Sequence, residues 1–232
     1  MTMLRKTIGA ITMSAAMMAP VASTQVFAAP VAASEQQATA NLVRQLNGIK
    51  SLTANFEQTT KATKSSKAPQ KQGLSAQHMN QTFTGVMKVA RPGKFYWETT
   101  APAKQTIVTS GKMIWIYDPD LQQAIRQNMD EQVANTPALL LSGNTNQIMQ
   151  SYRVTQPNKA KTYYTLYPKQ KDGAFQSLTI SFGVNKAPSL MILEDSLGQT
   201  THVKFSNVKV NAGIPDSTFN FTPPKGTDII DQ

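Results

Sequence analysis

The chain has 232 residues, 40% of them hydrophobic, a formal net charge of +10 and no cysteine. Without cysteine it has no disulfide framework, no thiolate metal site and no lipid on an N-terminal cysteine of its own, so its core alone must stabilise it. One domain suffices at this length, burying roughly 70% of the surface of its unfolded chain.

Arg5 and Lys6 precede an apolar stretch from Ile8 to Ala19 that Pro20 ends too soon for a bilayer span, the pattern of a signal peptide. Val26 and Ala28 around Phe27 place cleavage between Ala28 and Ala29, so residues 1–28 are expected to be removed and residues 29–232 to form a single exported domain. No later stretch approaches the roughly 18 apolar residues of a membrane helix. The leader carries two of the positive charges and its loss leaves +8. Such a surface either favours anionic headgroups and acidic partners or simply keeps the chain in solution. Export and the lack of a recognition motif argue against nucleic acid.

From Ser34 the pattern is helical. Ser34 and Gln37 suit a capping box, Ala38, Leu42, Leu46 and Ile49 recur at spacings of four, four and three, and Asn47 and Gly48 supply the stop. The period then falls to two. Strands are expected near 52–59, 82–90, 94–100, 105–109, 113–118, 123–127, 152–156, 162–167, 176–182, 190–195 and 200–210, separated by Gly, Pro, Asn and Asp. This predicts a mainly β protein with an antiparallel meander. Residues 61–80, with Lys61, Lys64, Lys67 and Lys71, have almost no apolar periodicity and are expected to form a mobile basic loop. Those lysines either dock on an acidic partner or membrane face or form a solvated loop. At 135–143, Thr136 can cap, Pro137 suits the first helical position and Leu139, Leu140 and Leu141 follow, which predicts a short apolar helix. A further turn is expected at 145–149.

Several strands are apolar on both faces. Met113, Trp115 and Tyr117 alternate with Ile114 and Ile116, and Phe95 and Trp97 with Tyr96. Such strands are either covered on both sides or face a cavity with a lid. In an extended strand Met87, Val89 and Arg91 share a side, and Pro92 holds Arg91 out of helix. The guanidinium then either sits at the rim of what Met87 and Val89 line or is solvated.

Five pieces in order resemble the LolA family of periplasmic lipoprotein carriers: LTANFEQ at 52–58, Arg91-Pro92 followed by Phe95 and Trp97, IVTSGKMIWIYDP at 107–119, Asn135-Thr136-Pro137, and FNFTPP at 219–224 with Asp228 to Gln232 closing the chain. The resemblance implies a strongly curved sheet, an unclosed β-barrel whose apolar concave face is covered by helices acting as a lid. It implies a chaperone without cofactor that accepts outer-membrane-directed lipoproteins from the inner-membrane transporter LolCDE and delivers them to the outer-membrane receptor LolB. On this resemblance Arg91, with Pro92, falls on the family arginine that bonds to the lid. Phe95 and Trp97 fall on cavity-facing aromatics, with Phe56, Met87, Val89, Ile107 and Trp115 completing the expected acyl-chain cavity. Leu139, Leu140 and Leu141 fall on the lid helix, with Leu42 and Leu46 as its second layer. The lysine-bearing loop is longer than the family's, and Ala138 replaces a bulkier residue.

Other classes fit less well. His78 and His202 are the only histidines and no GxSxG, HExxH or paired-cysteine signature occurs, so an enzyme is not expected. An outer-membrane barrel would not carry Lys204 and Asn207 on its strands or end on Asp228, Asp231 and Gln232. A lipid- or lipoprotein-sensing module on the same curved sheet is the alternative. The protein is expected to be a monomer.

Overall fold

A computed structural model describes residues 29–62, 81–110, 112–128, 137–170 and 175–231. The expected signal peptide, residues 63–80 with Lys64, Lys67 and Lys71, and Asn135-Thr136 lie outside the described residues.

The chain begins with α1 (Ala29–Asn47), followed by β1 (Ser51–Ala62), β2 (Thr82–Ala90), β3 (Lys94–Ala101), β4 (Gln105–Ser110), β5 (Met113–Asp118) and β6 (Gln123–Asn128). Two short helices, η1 (Pro137–Leu141) and α2 (Thr145–Ser151), lead into β7 (Tyr152–Thr155), β8 (Tyr163–Pro168), β9 (Phe175–Phe182), β10 (Pro188–Asp195) and β11 (Gln199–Val210). A 3-10 turn, η2 (Asp216–Phe219), precedes β12 (Asp228–Asp231).

Among the described residues twelve strands form one sheet in the order β12-β6-β5-β4-β3-β2-β1-β11-β10-β9-β8-β7, and its two ends do not meet. The expected single meander is instead two meanders, β1–β6 and β7–β11, joined where β1 pairs antiparallel with β11. Both joining strands are twelve residues long, so they support each other over most of their length. β1 therefore runs on through Lys61 and Ala62, which pair with Thr200 and Gln199, and the mobile loop expected from residue 61 does not include them. β12, not foreseen as a strand, pairs in parallel with β6. A register shift between Thr53 and Asn55, opposite a positive φ at Asn207, adds local twist at the centre of the sheet.

The concave face carries the core. Val89, Leu52 and Val210 share one row across β2, β1 and β11, with Phe95 next to them on β3. α1 packs against β7 and α2, burying the predicted stripe of Ala38, Leu42, Leu46 and Ile49. Its C-terminus is held by Asn211, whose side chain accepts from the Lys50 N–H at 2.8 Å and donates to the Gly48 carbonyl at 2.9 Å. The convex face of β3–β6 is covered by the segment between β11 and β12. Phe219 is buried there, Phe221 tilts against Trp115 and Tyr117, and Asp216 pairs with Lys94 at 2.8 Å.

Candidate functional site

The tight turn between β2 and β3 is Arg91-Pro92-Gly93, where Gly93 takes a φ of +72° that a side chain would resist. The turn grips the short helix η1 at two points. Arg91 Nε donates to the Leu141 carbonyl at 2.9 Å, with a longer contact of 3.5 Å from the guanidinium to the Leu140 carbonyl. The Gly93 N–H donates to the Ser142 carbonyl at 2.9 Å. The two leucine carbonyls belong to the last turn of η1 and that of Ser142 follows directly, where a short helix has acceptors to spare and a cation is favoured. Burial pulls the Arg91 pKa down to about 10, which leaves it a cation at neutral pH.

The end of η1 is closed locally, and α2 after it is tied to α1. The Ser142 hydroxyl and the Ser142 and Gly143 N–H groups all donate to the Leu139 carbonyl, at 2.8 to 2.9 Å. The Thr145 hydroxyl at the start of α2 donates to the Asn47 side chain at the end of α1, at 2.9 Å. Leu139, Leu140 and Leu141, Leu42 and Leu46 of α1 and Ile148 of α2 are buried in one cluster with Met87 and Val89 of the sheet. The three helices thus plug one half of the concave face.

The other half is hollow. A cavity of about 740 Å³ lies on the concave side, bounded by Leu139 of the lid and by Phe95, Trp97 and Ile107. Ile114 and Ile116 of β5 form one wall, and Leu178, Met191, Val203 and Phe205 form the opposite one. Towards the open end the lining turns polar, with Gln58, Thr60, Thr99, Gln105, Gln199 and Thr201. Trp97 stacks on Phe56 with ring centroids 3.7 Å apart. The Phe56 ring lies over Gly85, where an added Cβ would stand 2.6 Å from it and 1.9 Å from the Glu98 carbonyl oxygen.

The predicted site residues divide accordingly. Phe95, Trp97 and Ile107 line the hollow, Phe56 lies directly behind Trp97, and Met87 and Val89 are sealed beneath the lid. Trp115 is a correction. It faces the convex side, 5.6 Å from the Phe221 ring and 5.4 Å from the Arg126 guanidinium, because Ile114 and Ile116 take the inward positions on β5. Lys61 is exposed on the outer side of β1. The second-meander wall was not anticipated, although Val203 and Phe205 alternate with His202 and Lys204, and Leu178 and Ile180 with Thr179 and Ser181. That alternation is the signal that places them inward. Among the described residues no group of three or more His, Cys, Asp or Glu could hold a metal ion.

An open sheet holding an apolar hollow on its concave side, half filled by helices of the same chain, defines a binding protein for apolar ligands built on an unclosed barrel. The family model described as outer membrane lipoprotein carrier protein LolA matches residues 47–222, and the chain belongs to that family. The outer-membrane lipoprotein carrier protein of Pseudomonas fluorescens strain Pf0-1 is 43% identical, over 83% of this chain and 88% of its own length. That of Hahella chejuensis is 41% identical, over 80% and 84%. A solved LolA superfamily protein from Nitrosomonas europaea superposes with a TM-score of 0.47 at 15% identity, covering 79% of this chain and 98% of the other.

Proposed function

We propose that the protein is a periplasmic carrier that hides the acyl chains of outer-membrane-directed lipoproteins in the hollow beside its lid, receives them from LolCDE and passes them to LolB. The observation that carries this reading is the half-plugged concave face: an apolar cavity of about 740 Å³ whose inner end is closed by Leu139 of a helix that Arg91 holds.

Magnitudes explain why the plug is needed. A chain of about a dozen buried methylenes gains on the order of 10 kcal/mol, which in an open apolar pocket would hold cargo too tightly for release. Each buried Leu or Ile of the lid is worth about 1.5–3 kcal/mol of its own packing, so displacing several of them costs an amount of the same order. Net affinity is then a small difference between two large quantities, which suits a carrier that must both load and unload. A cargo with more chains than the hollow holds has to push the helices aside.

The test is mass analysis of the protein purified from its own periplasm, with and without depletion of the carrier in the cell. Bound lipoprotein, and lipoproteins stranded at the inner membrane on depletion, are expected. An empty protein whose depletion altered signalling and left lipoproteins in place would favour the sensor reading.

A further inference from the structure

The lining of the hollow changes chemistry along each strand. On β1 Phe56 gives way to Gln58 and Thr60, and on β3 Trp97 gives way to Thr99. β4 and β11 run the other way and enter through Gln105 and through Gln199 and Thr201 before reaching Ile107 and Val203. Strand pairing sets these residues together at the open end: Thr99 opposite Gln105, Thr60 opposite Thr201, and Gln58 opposite Val203. The outcome is a band of amides and hydroxyls around an apolar floor, with Lys104 and Asp118 as its charged members. Thr60 and Thr201 hydrogen-bond each other at 2.9 Å. The side-chain amides of Gln58, Gln105 and Gln199, by contrast, make no hydrogen bond to any described residue.

An acyl chain differs from an alkane at one point. It is joined to the rest of its molecule through a carbonyl, and a chain sunk to the end of an apolar floor brings that carbonyl to where the floor stops. We propose that Gln58, Gln105 and Gln199 form a carbonyl-reading collar, donating their amide N–H groups to the ester and amide carbonyls that link acyl chains to the cargo. The proposal rests on the carrier reading above and adds what the mouth recognises. Neutral amides suit the task because the cargo's headgroup covers the mouth, and losing water there costs an amide less than it costs an ion. A site built to hydrogen-bond its ligand also discriminates against an analogue that lacks the partner, since the site's own groups are then left unpaired. The collar therefore sets both the depth of insertion and a preference for acylated over alkylated chains.

The test compares two probes of equal chain length, a diacylglyceryl-cysteine dipeptide and its dialkyl ether counterpart, as competitors of an apolar fluorescent dye on the mature protein. The wild type is expected to prefer the diacyl probe by about tenfold. The Gln58→Met, Gln105→Met, Gln199→Met triple variant keeps side-chain length and is expected to bring the ratio to about one without weakening the dialkyl probe. Each single variant is expected to lower the ratio by about two- to threefold, which covers the case of a triple variant that does not fold. Equal binding of both probes by the wild type would overturn the collar and leave the carrier reading standing. Failure of both probes to displace the dye would remove the carrier reading and the collar together.

Discussion

Arg91 reaches across from the end of β2 to donate its Nε–H to the carbonyl oxygen of Leu141, 2.9 Å away. It is the one charged side chain, among the described hydrogen bonds, that joins the sheet to the end of η1. The second contact, at 3.5 Å, is too long to add much. One good charge-assisted bond is worth about 1.5 kcal/mol, near the lower end of its range, or roughly tenfold in an equilibrium. Arg91→Leu is expected to keep the fold, weaken the closed lid by about that factor, and so retain loaded cargo longer and pass it on more slowly. Transfer to the receptor at the wild-type rate would show that the contact is not a latch.

Leu46 is fully buried at the centre of the lid. Leu46→Ala removes packing worth about 2–5 kcal/mol from the empty form, while the loaded form, with its lid displaced, loses less. The variant should therefore melt earlier when empty and bind an apolar dye more tightly. Thermal unfolding with and without dye measures both.

Gly85 has no room for a methyl group, with the Glu98 carbonyl oxygen and the Phe56 ring both inside contact distance of an added Cβ. Gly85→Ala is expected to destabilise the protein by about 3 kcal/mol, the upper range for overpacking. Gly93 is the contrast. Nothing lies near its missing Cβ, but its φ of +72° should make Gly93→Ala cost only about 1 kcal/mol. Urea midpoints of the two variants should separate accordingly.

Tyr152, where α2 meets β7, has its phenol pushed up to about 12 by burial. A raised value favours the neutral form in the folded state, so its stabilising effect is complete below pH of about 10 and is lost as pH climbs towards about 12. Tyr96, raised to about 12 by burial and by its bond to Glu98, acts in the same direction. Arg91 acts oppositely, since its pKa is lowered and its burial cost is relieved above about 10. Tyr152→Phe is expected to flatten the alkaline loss of stability, measured as the urea midpoint at several pH values. Release of cargo should stay constant between pH of about 5 and 9, where Arg91 remains charged.

Much of this is legible in the sequence. The stripe from Ala38 to Ile49, the Arg91-Pro92 turn and the three leucines at 139–141 each break the local pattern in a way that has few physical solutions. β5 was not legible in the same way. With apolar residues at five successive positions, Met113 to Tyr117, period two cannot say which set faces inward, and the answer lies with Phe221, about a hundred residues further along the chain, which covers Trp115 and Tyr117 from outside. β12 was missed because four residues with acids at both ends carry no strand signal. Its stability comes from β6, through paired backbone and through Arg126, which donates from Nε to one Asp231 oxygen at 2.7 Å and from Nη2 to the other at 2.9 Å.

The opposite placement of the two tryptophans has a practical consequence. Trp97 borders the hollow, whereas Trp115 looks outward onto Phe221 and Arg126. A guest that displaces solvent inside alters the surroundings of one indole and leaves the other as a steady background. Replacing Trp115 by Phe would leave an optical gauge of occupancy native to the chain, whose emission would follow filling and emptying in real time without any attached label.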